Sequence, residues 1–327
     1  MHILFTVDVE AHRVIDEISG QDHDSLGDIL LALREASCRA TFFVDLIESH
    51  TWGGAVLRRA CDRILEDGHE LALHVHPHHH PIGDSNRWLL HEYSCEDQRR
   101  IIWDGVSQYA KWFGVIPKAF RAGGFGADAC TIRTLQAAGV AIDSSVLWGR
   151  RSCGLSTISD QGPFHFEGVR EFPLTHLIVF GHTRWPVRIS ALDFNWLPLF
   201  VLKWALKRMA AERLPVAVIL LHSSSMYVRI GRKRLLYVPT FRKKLRRLLQ
   251  YATHVGEVRT ISAADAAIAE DSEPSLGVSV RIPYLWQYLV LFFQSVIGCG
   301  ISVRFRLFLL GHVLGICVLL ALWALTS

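Results

Sequence analysis

The chain has 327 residues, half of them hydrophobic, and carries a formal net charge of +4 from 35 basic and 31 acidic side chains. This length suits one large domain or two small ones, and the mild charge balance indicates no particular partner. The seven cysteines are scattered and form no CxxC pair, which argues against a disulfide framework or a cysteine zinc site and predicts reduced thiols.

Strand-like and helix-like segments alternate along the first 268 residues. Hydrophobic patterning predicts strands at 3–10, 40–45, 70–76, 119–126, 140–146, 169–177 and 215–225. It predicts helices at 25–37, 54–67, 95–113, 128–138, 194–213 and 239–252, several of them ended by glycine. Strand followed by helix about seven times is typical of an α/β fold with a parallel sheet, either open or closed into a barrel.

The last 46 residues are strongly apolar. Residues 283–301 and 307–327 are each about as long as a membrane is thick, and two arginines lie between them. We weigh a helical hairpin against an interfacial aromatic helix followed by one span, with a buried helix pair as the ordinary alternative. The expected organisation is a catalytic domain over 1–270, a linker over 271–281 and a membrane-associated segment over 282–327.

The start of the chain enters a strand pattern directly. "MHILFTVDVE" has no basic region, apolar stretch or cleavage site of a secretory signal. Together with the reduced thiols, this predicts a domain that stays in the cytosol. With the apolar C-terminus, the expected location is the inner membrane with the domain facing the cytosol.

Residues suited to metal binding and proton transfer cluster at the ends of the predicted strands. They are Asp8, Glu10, His74, His76, Arg121 and His222. In parallel α/β folds the carboxyl edge of the sheet is where sites are built, so we expect these side chains to meet there. Loop solvation would explain a polar residue at any one strand end, but it explains this choice of residue types poorly.

Carboxylates and imidazoles alternate along two of these strands. Asp8 and Glu10 are spaced i, i+2, so both side chains leave the same face of a strand. His74 and His76 have the same spacing, and His78 follows on the loop. One or two carboxylates with two histidines make a mixed nitrogen and oxygen site suited to a divalent metal such as zinc, or to cobalt, iron or nickel.

Five short motifs occur together in a recognisable order. "TVDVE", "ATFFV", "GHELALHVHP", "FRAGGFG" and "LLHSSS" resemble, in order and rough spacing, the polysaccharide deacetylase family, carbohydrate esterase family 4 with the NodB-homology fold. The resemblance covers about residues 1–268. It implies a distorted (β/α)7-type barrel, a metal held by an acid and two histidines, and hydrolytic removal of N-acetyl groups from amino sugars.

The resemblance also implies roles for the acids and histidines. Asp8 resembles the general base, and Glu10 the metal ligand, as in members with an acid-x-acid motif. The usual histidine pair is spaced by four, which selects His74 and His78, whereas strand geometry favours His74 and His76. All three histidines therefore stay candidates, together with Glu10.

Two further catalytic residues follow from the same resemblance. Arg121 resembles the arginine that orients the base, although Gly123 and Phe125 stand where the family usually has proline and tyrosine. His222 resembles the general acid and is followed by Ser223 rather than the usual acidic residue. Asp8, Arg121 and His222 are thus the expected catalytic residues.

The departures from the family pattern and the apolar C-terminus favour an acylated amino-sugar substrate linked to a polyprenyl phosphate or glycolipid, in envelope glycan synthesis. A stretch with nine Lys or Arg and no acid, residues 229–247, would meet membrane lipid. A solvent-exposed helix face would explain these charges equally well. Because no nucleic-acid-binding motif accompanies them, we do not expect a nucleic-acid partner. The rival hypotheses are an inactive, membrane-tethered glycan-binding or scaffold protein and a hydrolase of another C–N amide bond.

Overall fold

The computed structural model describes residues 1–11, 23–156, 158, 162–182, 185–230, 234–268 and 280–283, with 286, 287, 289–291 and 294. Within these residues there is no helix whose length and apolarity would let it cross a membrane. Most of 283–301 and all of 307–327 lie outside the described residues, so the two proposed membrane segments stay predictions.

Seven parallel strands form the central sheet, as strand–helix alternation predicted. In spatial order they are β10 (Val216–His222), β1 (His2–Val9), β2 (Thr41–Asp45), β3 (Glu70–Val75), β4 (Ala119–Ala122), β5 (Ile142–Asp143) and β7 (Val169–Glu171). The short strands β6 (Phe164–Phe166) and β13 (Glu257–Val258) pair with β7 and β1. The sheet is strongly apolar because helices and loops cover it, as parallel sheets require.

Helices flank the sheet in the expected order. They are α1 (Ser25–Glu35), α2 (Ser49–Trp52), α3 (Gly54–Glu66), α4 (Cys95–Phe113), α5 (Ala129–Ala137), α6 (Leu199–Ala211), α7 (Pro239–Val255) and α8 (Ile261–Ala267). Local sequence explains several ends: the side chains of Asp24, Ser94 and Asp128 cap α1, α4 and α5 at their first turns.

The sheet curls, and chain segments other than strands join its two ends. The backbone N–H of Leu192 donates to the Thr175 carbonyl, and Leu220 of β10 donates to the Leu192 carbonyl at 3.0 Å. The Phe194 backbone N–H donates to the Leu220 carbonyl at 2.9 Å. The predicted α/β architecture is therefore confirmed as a curled sheet rather than a barrel closed by regular strand pairing.

Two predicted elements have different bounds. The segment 169–177 contains β7 and only the start of β8 (His176–His182), and Pro173 between them cannot donate to a ladder. The helix predicted from 194 begins at Leu199, because the Asp193 carboxylate accepts the backbone N–H groups of Asn195 and Trp196 in a separate turn.

Two small sheets add to the domain. Strand β8 pairs with the antiparallel β9 (Trp185–Ala191) and with the parallel β14 (Val280–Arg281). Strands β11 (Tyr227–Ile230) and β12 (Arg234–Tyr237) form an antiparallel pair that overlaps the first part of the basic stretch, and the last part of the stretch lies within α7.

The start of the apolar C-terminal segment packs on the domain. The Trp286 ring lies 5.0 Å from Phe200 and 5.8 Å from Trp204 of α6, measured between ring centroids. The Ile282 backbone N–H donates to the Ile178 carbonyl at 3.1 Å, which continues the β14–β8 pairing. These contacts hold the described start of the apolar segment against β8 and α6.

One disulfide corrects the expectation of reduced thiols. Cys95 at the start of α4 and Cys130 at the start of α5 are bonded, with their Cα atoms 5.7 Å apart. Cys38, Cys61 and Cys153 are buried free thiols, as expected. The two bonded cysteines are 35 residues apart, so spacing gave no sign of the pair.

Candidate metal centre

Parallel register brings the predicted site residues to one edge of the sheet. Asp8 lies beside His222 on β10, and His74 lies beside Arg121 on β4. Glu10 follows the end of β1 and is 3% exposed. Because all of these strands run in the same direction, residues far apart in sequence meet where the strands end.

Glu10, His74 and His76 form a compact donor group. One ligand atom from each lies within 4.8 Å of the others, the one such group among the described residues. The Glu10 Oε1 atom lies 3.7 Å from Nε2 of His76, and both side chains are largely buried. One carboxylate with two imidazoles fits a divalent metal of the zinc type and leaves a coordination position open for water or substrate.

Hydrogen bonding prepares His74 for this role. Its Nδ1 atom lies 2.8 Å from the Arg121 carbonyl oxygen, which can only accept, so Nδ1 carries the proton and Nε2 remains a ligand. Burial lowers the pKa of His74 more than the nearby Asp8 charge raises it. His74 is therefore neutral near pH 7, the form that binds metal.

The His76 ring lies in the donor group because it packs closely against the backbone of Gly123. A Cβ atom built on Gly123 would lie 2.5 Å from Nδ1 of His76. The His76 backbone N–H donates to the Asp45 carboxylate at 2.9 Å, which holds the start of the loop. A side chain at position 123 would therefore displace the His76 ring from Glu10.

His78 does not join this group. Its ring lies 5.5 Å from the ring of His76 and 4.1 Å from the ring of Trp88, with only 33° between the His78 and Trp88 planes. The structure thus gathers the i, i+2 pair that strand geometry favours, rather than the i, i+4 pair of the family pattern. The reason is that Pro77–His79 form a short 3-10 helix after β3, which turns His78 away.

A buried ion pair holds Asp8. The Nη1 atom of Arg121 donates to Oδ1 of Asp8 at 2.7 Å, and the Arg121 side chain is fully buried. Burial alone would raise the pKa of Asp8, but the charges of Arg121, His74 and His222 outweigh it and hold that pKa below its usual value. Asp8 is therefore ionised and able to accept a proton.

Arg121 makes three further hydrogen bonds. Nε donates to the Ser144 carbonyl at 3.0 Å, and Nη2 donates to the hydroxyls of Ser144 at 3.0 Å and Thr6 at 3.1 Å. The guanidinium also lies 4.1 Å from the centre of the Phe43 ring. A lysine could not reproduce this planar set of contacts.

His222 stands at the end of β10, half-buried. Its backbone N–H donates to the Ser225 hydroxyl at 2.8 Å, and that hydroxyl donates to Oδ1 of Asn195 at 2.6 Å. The turn after β10 is thus fixed next to the Asp8 strand, which places the imidazole where it contributes to the field at Asp8.

Two buried acids lie beside the donor group and were not among the expected catalytic or metal-binding residues. Asp45 ends β2 next to His74, and Glu48, fully buried, lies 3.2 Å from Nε2 of His79. Burial and the charges of Glu48 and Glu10 raise the pKa of Asp45 well above its usual value. The sequence signal for Asp45 was its position at the polar end of the apolar strand "ATFFVD", the same pattern that identified Asp8.

A second pair of buried acids lies on the two strands that follow β4 in the sheet. Asp143 and Glu171 are register partners on β5 and β7 and are 0% and 2% exposed. The Ser145 hydroxyl donates to Asp143 at 2.7 Å, and the Val146 N–H donates to Glu171 at 2.9 Å. Burial, followed by the proximity of Asp143, raises the pKa of Glu171 well above its usual value, so the two carboxyls share a proton.

Asp193, which is buried, and Lys244, which is partly exposed, interact electrostatically. Burial raises the pKa of Asp193 to about 7 and lowers the pKa of Lys244 to about 7. The ammonium group donates to the carbonyls of Phe194 and Leu197, the latter at 2.8 Å. One cation of the predicted basic stretch is therefore bonded to the domain itself, at the turn before α6.

Comparison with known proteins identifies the fold. No protein-family model and no curated protein sequence matches the chain. A crystal structure from Mycobacterium smegmatis, assigned as a polysaccharide deacetylase, aligns over 84% of this chain and 92% of its own, with a TM-score of 0.54 and 16% identity. A family 4 carbohydrate esterase from Streptomyces lividans in complex with acetate aligns over 83% and 98%, with a TM-score of 0.45 and 16% identity. The alignment with the Mycobacterium smegmatis structure confirms, for the fold, the likeness predicted from the five motifs.

Proposed function

We propose that this chain, which has the fold of the polysaccharide deacetylases, is a metal-dependent hydrolase that removes an N-acyl group from an amino sugar. The observation that carries the proposal is a charged acid beside a compact donor group. Asp8 is held by Arg121 at 2.7 Å, and Glu10, His74 and His76 lie together at the same strand edge. A buried base next to a metal site is what amide hydrolysis requires.

The residues divide the chemistry between them. A divalent metal held by Glu10, His74 and His76 would polarise the amide oxygen and lower the pKa of a water molecule. Asp8, ionised because Arg121 pairs with it, accepts the proton of the attacking water. His222, across the register from Asp8, donates a proton to the departing amine. Zinc is the metal that suits these ligands best, with cobalt, iron and nickel as alternatives.

We extend the proposal to a substrate linked to lipid. The exposed side chains of Phe200 and Leu289, 43% and 44% exposed, lie with Trp286 near the point from which the apolar segment continues. Aromatic side chains at the start of an apolar stretch are typical of the membrane interface. A domain held there would reach an acylated amino sugar on a polyprenyl phosphate or glycolipid, as expected for envelope glycan synthesis.

Metal content and hydrolysis test the enzyme proposal together. Full-length protein, purified without a polyhistidine tag, should bind about one equivalent of zinc or cobalt and release acetate or formate from acylated amino sugars. An Asp8→Asn variant should keep the metal and lose the release. No metal in the wild type would favour the inactive glycan-binding or scaffold protein, and release only from cyclic amides would favour a hydrolase of another C–N bond.

Vesicle flotation tests the membrane part. The full chain should float with vesicles that contain anionic phospholipid, whereas a Phe200→Ser, Leu289→Ser variant should float less. Equal flotation of both proteins would remove this surface from the proposal.

The inner-membrane location with a cytosolic domain belongs to the same proposal; the Cys95–Cys130 bond argues against the cytosolic side, so these two cysteines decide the orientation. A cytosolic domain keeps both thiols reduced in the cell, and a domain on the other side carries them oxidised. Alkylation in intact cells followed by mass spectrometry distinguishes the two locations.

A further inference from the structure

An exposed tryptophan stands beside the candidate metal centre on a well-braced loop. Trp88 is 54% exposed, the largest exposure of any tryptophan described. Its ring lies 4.1 Å from the ring of His78, and the ring of His78 lies 5.5 Å from that of His76. Two ring contacts therefore connect the open indole to a residue of the donor group.

The loop that carries Trp88 is held from one side by Tyr93. The Tyr93 hydroxyl accepts the Asp84 N–H at 2.8 Å and donates to the Arg87 carbonyl at 2.9 Å. Asp84 in turn accepts the Asn86 N–H at 2.8 Å. These bonds close the loop on itself just before Trp88.

The other side of the loop is held by the glycine turn after β4. The Leu89 side chain packs so closely on this turn that a Cβ atom on Gly124 or Gly126 would lie 2.8 or 2.7 Å from it. The His91 N–H donates to the Gly126 carbonyl at 2.9 Å. A loop braced on both sides holds the indole in place, so its exposure does not result from a loose segment.

We propose that Trp88, backed by His78, is a binding platform on which a pyranose ring of the substrate stacks beside the metal centre. The inference rests on the proposed amino-sugar substrate and assigns it a subsite. The C–H bonds on one face of a pyranose carry a slight positive charge, which suits the electron-rich face of an indole. Ligand sites combine such aromatic surfaces with a few polar groups that fix orientation.

His78, which is not part of the donor group, also has a role in this platform. An imidazole packed on Trp88 with 33° between the planes supports the indole from one side. The platform thereby joins the two histidines: His76 belongs to the metal group, and His78 positions the sugar ring next to it. His78 is therefore a positioning residue rather than a ligand.

Sugar binding is measured on the full chain without relying on hydrolysis. Chelator-treated protein is titrated with N-acetylglucosamine and with its β-1,4-linked tetramer, and the heat of binding is recorded by calorimetry. We expect saturable binding to the wild type, about tenfold weaker binding to Trp88→Ala and recovery in Trp88→Phe. Trp103→Ala, which removes a tryptophan 41% exposed on α4, is the matched control and should bind as the wild type does.

The outcomes separate this inference from the proposed function. Unchanged binding in Trp88→Ala, or no binding of either sugar by the wild type, would overturn the platform. Where acyl release is measurable, Trp88→Ala should raise KM about tenfold and leave kcat nearly unchanged. Release with an unchanged KM would refute the platform alone, and Trp88-dependent sugar binding without any metal-dependent release would refute the hydrolase alone.

Discussion

Arg121 and Asp8 form an ion pair, 2.7 Å from Nη1 to Oδ1, in which the arginine side chain is fully buried and the aspartate nearly so. The two residues are 113 positions apart in the chain, and β2 and β3 lie between their strands. The pair therefore depends on the curl of the sheet, and it links the proposed base to the correct folding of four strands.

The ion pair predicts a strong dependence of stability on both partners. Arg121→Met should lower the free energy of unfolding by about 3–5 kcal/mol, because the Asp8 charge stays buried without its partner. The Asp8→Asn, Arg121→Met double variant should cost clearly less than the sum of the single variants. Urea unfolding measures all four proteins, and additive costs would show that the two charges are independent.

The donor group predicts which histidines hold a metal. His74→Ala and His76→Ala should lose the bound equivalent, whereas His78→Ala should keep it, because only the first two lie with Glu10. Elemental analysis of purified full-length proteins gives the metal content. Retention in His76→Ala with loss in His78→Ala would instead select the i, i+4 pair of the family pattern.

The Asp143–Glu171 pair predicts a pH-dependent stability. Because the pKa of Glu171 is raised in the folded state, the unfolded chain loses this proton first as the pH rises above about 4. The pair therefore makes its full contribution to the free energy of unfolding at low pH. This contribution declines as the pH rises, until the pH passes the raised pKa of Glu171.

Amide substitution should remove this decline. In Glu171→Gln the amide donates to Asp143 in place of the shared proton, so the free energy of unfolding should vary less with pH than in the wild type. Glu167→Gln, at a side chain 43% exposed on the adjoining turn, is the matched control. Parallel pH profiles for the wild type and Glu171→Gln would contradict the shared proton.

The Cys95–Cys130 disulfide predicts redox-dependent stability. It closes a loop of 35 residues between the starts of α4 and α5, so Cys95→Ser should lower the free energy of unfolding by about 2–4 kcal/mol. Dithiothreitol should lower the melting temperature of the wild type and leave that of Cys95→Ser unchanged. Alkylation of both cysteines in the untreated, purified protein would disprove the bond.

Local patterns predicted most of the sheet and the positions of its polar ends. Helix α4 has the predicted bounds because Ser94 caps its start and Gly114, in the left-handed conformation, ends it. The sequence pattern placed the start of α6 too early. The turn at Asp193 carries apolar side chains, so its sequence resembles that of a helix. Partners on separate strands, such as Asp143 and Glu171, share no local pattern, so only the three-dimensional register reveals them.

The missing side chain at Gly123 has an evolutionary consequence. With this backbone, any Cβ atom at that position would overlap the His76 ring, 2.5 Å from Nδ1. The glycine and the i, i+2 histidine pair of this chain are therefore coupled, because the His76 ring keeps its place beside Glu10 only while position 123 has no side chain. Chains with H-x-H after this strand should carry glycine at the matching turn, and the two positions should change together.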